Sequence, residues 1–94
     1  MSALQTYHVK HILVKHQYEA EDILRKLNSA TDFSELAKKY SQCPSASKGG
    51  DLGKLKIGQA DEDFEEAALK LKVGDHTTKP IRTKFGFHLI LRVN

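Results

Sequence analysis

Three histidines fall in the stretch HVKHILVKH, residues 8–16, and a fourth, His88, sits in GFHLILRV near the other end of the chain. The first chemistry such a set suggests is metal binding. Strand geometry opposes a local site. HILV and its flanks read as a β-strand, in which side chains alternate faces with period 2. His8 and His11 are three apart and point to opposite faces, as do His11 and His16, five apart. His8 and His16 share a face but stand ~26 Å apart at ~3.3 Å per residue. No pair converges locally. His11 shares its face with Val9 and Leu13, which is expected to be the buried face, so His11 needs a partner.

Cys43 is the second reactive group. Cysteine beside histidine can make an acyl-transfer site, and Thr83 is another polar residue able to face the same cleft. A free cysteine also serves as a small apolar filler, and QCPSASKGG carries no local cysteine-protease signature. KGGDLGK, 48–54, is not a phosphate loop. Lys54 is followed by Leu55 and the glycine spacing departs from G-x-x-x-x-G-K-[ST]. Phe64 belongs to a helical apolar stripe, yet lies in the first turn of its helix, where a core face can open into a cleft. The acids Asp61, Glu62, Asp63, Glu65 and Glu66 read as helix-start electrostatics and a solvated face.

The elements that must position these groups follow from periodicity. YHVKHILV, 7–14, is a strand. QYEAEDILRKLN, 17–28, is a helix with Ala20, Ile23, Leu24 and Leu27 on one face. Residues 32–41 form a second helix, opened by Asp32 with Glu35 in capping-box spacing. QCPSASKGG, 42–50, reads as a loop and DLGKLKIG, 51–58, as a short strand. EDFEEAALKLK, 62–72, is a helix capped by Asp61, with Gly74 at its C′ position. KPIRT, 79–83, and GFHLILRV, 86–93, are closing strands. The order is β-α-α-β-α-β-β, an α+β arrangement. The long strands at the two ends are expected to pair at the centre of the sheet, bringing His11 beside His88.

Bulk properties bound the rest. Ninety-four residues, 39% hydrophobic and 29% charged, make one domain, 1–94, with one core. No apolar run reaches the ~20 residues of a membrane span. MSALQTYHVKH does not read as a secretory signal, and a lone cysteine fits a reducing compartment, so a cytoplasmic setting is expected. The net charge of +3 is mild. Lys38, Lys39, Lys54, Lys56, Lys70 and Lys72 are scattered, and exposed aromatics are too few for base stacking, so they read as solubility and not as a nucleic-acid surface.

Taken together, HILVKH at 11–16, DFSELAKKYSQCPSASKGGDLG at 32–53, IGQ at 57–59 with Phe64 following, and PIRTKFGFHLILRV at 80–93 resemble the parvulin-type peptidyl-prolyl cis–trans isomerases (rotamases), in the family's order and over nearly the whole chain. The resemblance implies a four-stranded antiparallel sheet wrapped by helices and acceleration of X-Pro rotation in peptides and folding proteins. It implies no cofactor and no metal. His11 and His88 match the family's tandem site histidines, Cys43 its cysteine, and Thr83 the hydroxyl bonded into the histidine network. Leu52, Gln59, Phe64 and Phe85 match positions lining the proline pocket. His8 and His16 receive no role and are expected at the surface.

Two departures from the family pattern bear on function. Methionine usually follows the Gly-Gln pair, and here Ala60 does, followed by Asp61, Glu62 and Asp63. This removes apolar pocket wall, and the acids are expected to favour basic residues beside the proline. Only KHQYEAED separates the first strand from its helix, without the long basic loop of phosphorylation-directed members. Lys15 and His16 make a poor phosphate clamp, and the N-terminus is expected to leave no room for a WW domain. The expected partners are proline-containing peptides and partly folded proteins, met by a monomer without membrane, nucleic acid or phosphate. Three rival readings differ in test. A chaperone-like module binds peptides without turnover, a cysteine hydrolase cleaves esters, and a nucleic-acid binder loses affinity steeply with salt.

Overall fold

The computed structural model describes residues 6–29 and 31–94. Residues 1–5, on which much of the reading of the N-terminus rests, lie outside the described residues. The order is β1 (Thr6–Val14), α1 (Gln17–Asn28), α2 (Phe33–Tyr40), a 3-10 turn (Pro44–Lys48), β2 (Asp51–Lys56), α3 (Glu62–Lys70), β3 (Ile81–Thr83) and β4 (Gly86–Arg92). The four strands form one antiparallel sheet in the order β2-β1-β4-β3. The first and last strands pair at its centre, as expected.

The expectation of a single buried strand face does not hold. Ile12, Val14 and Leu89 pack on one side under α1 and α2, against Ala20, Ile23, Phe33 and Leu36. Tyr7, Val9 and Ile90 pack on the other side against Phe64 and Ala68 of α3. Helices cover both faces, so consecutive residues of β1, His11 and Ile12, are both buried. Strict alternation of apolar and polar residues belongs to one-sided sheets.

Several local expectations are refined. Pro44 opens a 3-10 turn inside what reads as plain loop. α3 ends at Lys70, and Gly74 is not its C′ residue. The Arg92 Nη1 group donates to the carbonyls of Leu69 and Leu71, at 3.3 and 3.1 Å. It thereby satisfies helix-end acceptors that a glycine turn would otherwise serve. Gly74 instead donates its N–H to Arg92 O, 2.8 Å away. β3 begins at Ile81, after Pro80, which lacks the N–H a ladder needs. Ahead of that proline, Thr77 continues the edge: its N–H donates to Ile90 O and its hydroxyl accepts from Ile90 N–H, at 2.9 and 3.1 Å.

His8 is not a plain surface residue. Its Nε2 lies 2.6 Å from Asp51 Oδ1, tying β1 to β2. His16 is exposed and serves as N-cap of α1, its ring stacked on Tyr18. The acidic run is more than a solvated face. The Glu65 carboxylate accepts from the Tyr7 hydroxyl at 3.1 Å and from Gly58 N–H at 2.9 Å, pinning the β2–α3 turn to the core. Burial, the first cause, and the adjoining Glu65 both push the Tyr7 phenol above its usual pKa.

Candidate active site

The site is assembled on the α3 side of the sheet. Register places His11 opposite Ile90 and Leu13 opposite His88. The histidines are therefore diagonal neighbours on one face, close enough for their side chains to meet. Their Nδ1 atoms stand 3.0 Å apart, with the rings 23° from parallel. Phe64 meets both edge-on, its centroid 5.7 Å from His11 and 5.1 Å from His88. On the far side, His88 Nε2 lies 2.7 Å from Thr83 Oγ1, which also accepts from Phe85 N–H at 3.1 Å.

Both imidazoles are 5% exposed. Burial lowers the His11 pKa from 6.5 to about 4, with the neighbouring His88 adding to the fall. Burial likewise takes His88 to about 4, against an opposing pull from the Asp61 carboxylate. Both are neutral at pH 7, so one Nδ1 donates and the other accepts. If Thr83 Oγ1–H donates to His88 Nε2, then His88 Nδ1–H donates to His11 Nδ1, and His11 carries its single N–H on Nε2. If the chain runs the other way, His11 Nε2 is bare. That atom is buried with no hydrogen-bond partner among the described residues.

Cys43 is carried by the 41–50 loop, which is fastened to the part of β1 beyond its β2 pairing. Gln42 N–H donates to Leu13 O, Ser41 Oγ accepts from Leu13 N–H, and His11 N–H donates to Gly50 O, at 2.8, 3.0 and 2.9 Å. Gly50 sits so close that a Cβ there would stand 2.4 Å from His11 O. Cys43 is half-buried in the cleft wall. No hydrogen bond joins its sulfur to either histidine among the described residues, and Thr83 alone extends the pair.

Leu52 reaches the cleft because of a bulge. β2 pairs His8 with Lys54 but Lys10 with Asp51, so the register slips by one residue, where Gly53 adopts a φ of +71°. A one-residue slip swaps faces. It sends Asp51 toward His8 and turns Leu52, beside Leu55, into the site. Gln59 stands at the mouth with its Oε1 accepting from Lys56 N–H at 3.0 Å.

The resulting cleft holds about 440 Å³. Seven of the eight residues read from the sequence line it: His11, Cys43, Leu52, Gln59, Phe64, Phe85 and His88. Thr83 stands behind His88. Leu13, Gln42, Pro44, Leu55 and Asp61 also line it, and the sequence motifs do not mark them as wall. Leu13 is detectable from its period-2 spacing to His11. The others depend on how the loops close. The arrangement is an apolar trough with an uncharged hydrogen-bonding floor, shaped to hold a ring and a neutral amide.

Known proteins carry the same arrangement of elements. The model of the rotamase family, the PPIC-type PPIase domain, matches residues 10–94. Foldase protein PrsA of Geobacillus kaustophilus (strain HTA426) is 52% identical over 81 residues, 85% of this chain and 28% of that protein. Foldase protein PrsA of Bacillus subtilis (strain 168) is 49% identical over 81 residues, covering 85% and 27%. The chain thus spans under a third of these relatives' length. The crystal structure of the peptidylprolyl isomerase PrsA from Bacillus anthracis superposes with a TM-score of 0.92 at 40% identity, over 95% of this chain and 41% of that one. The solution structure of NmPin, the parvulin of Nitrosopumilus maritimus, superposes with a TM-score of 0.84 at 40% identity, over 99% of this chain and all of that one. With its paired histidines, its cleft and these relatives, the chain belongs to the PPIC-type, or parvulin, family of peptidyl-prolyl cis–trans isomerase domains.

Proposed function

We propose that the chain accelerates cis–trans rotation of X-Pro bonds in peptides and partly folded proteins, without forming a covalent intermediate. The observation that carries this reading is the neutral His11–His88 floor beneath an apolar cleft. X-Pro bonds isomerise in tens to hundreds of seconds unaided. The twisted imide has lost amide resonance and its carbonyl is less polar than the planar one. A dry, apolar cleft over an uncharged floor penalises the planar ground state more than the twisted form. Phe64, Leu52 and Phe85 hold the proline ring while the preceding residue turns. Gln59 and the histidine–threonine chain supply polar contacts whose donors and acceptors are set before the substrate arrives. Cys43 contributes wall and a soft dipole near the substrate carbonyl. With its sulfur unpaired from His11 and His88, it is not built as an activated nucleophile.

The activity is independent of substrate phosphorylation. Only Lys15 and His16 lie between β1 and α1, and His16 is committed to capping α1. Action as a monomer in a reducing, cytoplasmic setting is part of this proposal, and a single cysteine, Cys43, suits it. NMR exchange spectroscopy on unphosphorylated X-Pro peptides tests the reading. Cis–trans exchange peaks that appear with catalytic amounts of protein support it. A second reading, a peptide-binding module with little turnover, is favoured by Ala60, which leaves one wall of the cleft short. Shift changes without faster exchange would select it.

A further inference from the structure

Among the described residues, Asp61 is the one acidic side chain lining the cleft, and no lysine or arginine lines it. Its position is fixed. As N-cap of α3 it accepts from Asp63 N–H through Oδ1 at 2.9 Å. Its Oδ2 has no hydrogen-bond partner among the described residues. The side chain is half-buried at the rim, three residues before Phe64. Its charge is felt at the floor, since it raises the His88 pKa against the effect of burial. Lys84 is held over a lining side chain, 5.3 Å from the Phe85 ring centroid, but stands outside the lining.

We propose that Asp61 is a specificity-determining residue, and that its carboxylate selects substrates carrying lysine or arginine next to the proline. The inference rests on the isomerase reading above and narrows its substrate class. An apolar trough with a neutral floor discriminates little by charge, so one anchored carboxylate at its rim decides the sign. At physiological salt the Debye length is ~8 Å, so the chain's scattered surface lysines are largely screened from a bound peptide while Asp61 is not.

The test is kcat/KM by exchange spectroscopy for peptides with lysine, alanine or glutamate placed immediately before, or immediately after, proline. The expected order is lysine, alanine, glutamate at one or both positions, with a lysine-to-glutamate ratio of about fivefold to tenfold that shrinks with added salt. Asp61→Asn brings that ratio close to one. Asparagine caps helices as well as aspartate does, so the variant retains α3, and a thermal melt verifies it. An unchanged ratio in Asp61→Asn overturns the proposal. A glutamate preference also overturns it and gives the selectivity to Lys84. If the protein accelerates no peptide, alanine-proline included, the isomerase reading fails by itself. Peptide Kd values from shift titrations over the same panel then still read the selectivity of Asp61.

Discussion

His11 and His88 touch through their Nδ1 atoms at 3.0 Å, although the strand register places them diagonally and not face to face. Burial holds both near a pKa of about 4, below the usual 6.5. Below pH 6.5 the unfolded chain takes up protons at these positions, and the folded chain does not until about pH 4. Stability therefore stands in full above pH 6.5 and falls as the pH drops through that window, by about 3 kcal/mol for an imidazole shifted this far. Urea denaturation at pH 7, 5.5 and 4 is expected to show the decline. Nitrogen-15 shifts of the two rings are expected to stay those of neutral imidazole down to pH 5. Titration of either ring near 6.5 would remove burial as the cause.

Thr83→Val keeps the shape of the side chain and deletes the hydroxyl shared by His88 Nε2 and Phe85 N–H. A buried nitrogen left without a partner costs about 1–3 kcal/mol. The expected result is a lower denaturation midpoint and a changed tautomer signature at His88. The isomerisation rate should fall with it, chiefly in kcat, because the floor loses its fixed polarity.

Cys43→Ser is expected to fold normally and to lower the rate by up to about tenfold, or ~1.4 kcal/mol of barrier. The sulfur is wall without a hydrogen bond to either histidine, so the change alters contact and polarity alone. Abolition of turnover in a folded Cys43→Ser protein would mark the thiol as a nucleophile. Exchange spectroscopy beside a thermal melt separates the two outcomes.

Ala60→Met extends the cleft wall that Ala60 leaves short. A buried methylene contributes ~0.8 kcal/mol, and only part of the added side chain will be covered by a peptide. Peptide Kd is expected to drop by about fivefold, read from shift titrations. A weaker Kd would mean the present cleft depth already suits its substrate.

Glu65→Ala removes the acceptor that joins the Tyr7 hydroxyl to Gly58 N–H. The Tyr7 ring is 2% exposed, so its hydroxyl loses a partner that water replaces poorly. Destabilisation of about 1–3 kcal/mol is expected, with loosening of the β2–α3 turn visible as faster amide exchange at Gly58 and Gln59. A variant that equals the parent in both would make the contact incidental.

The element order, the helix at 17–28, the Asp32 and Asp61 caps and the central pairing of the two long strands all follow from local pattern. Periodicity and capping act over a few residues, and a 94-residue chain offers few ways to join what they define. The family motifs add His11, Cys43, Thr83 and His88, and the pocket positions Leu52, Gln59, Phe64 and Phe85, because their order along the chain is preserved. Tertiary structure alone supplied the physical reasons. Leu52 faces the cleft because of a slip in the β1–β2 register, a property of two strands far apart in sequence. His8 meets Asp51 through the same slip. Both sheet faces are buried because helices from both halves of the chain close over them, which alternation within one strand cannot reveal. The histidines are neutral because Phe64 and the core exclude water from them. Asp61 reads in sequence as a helix cap and as one of three acids after Ala60, and only the closing of α3 against the sheet makes it, among the described residues, the one acidic group on the cleft wall.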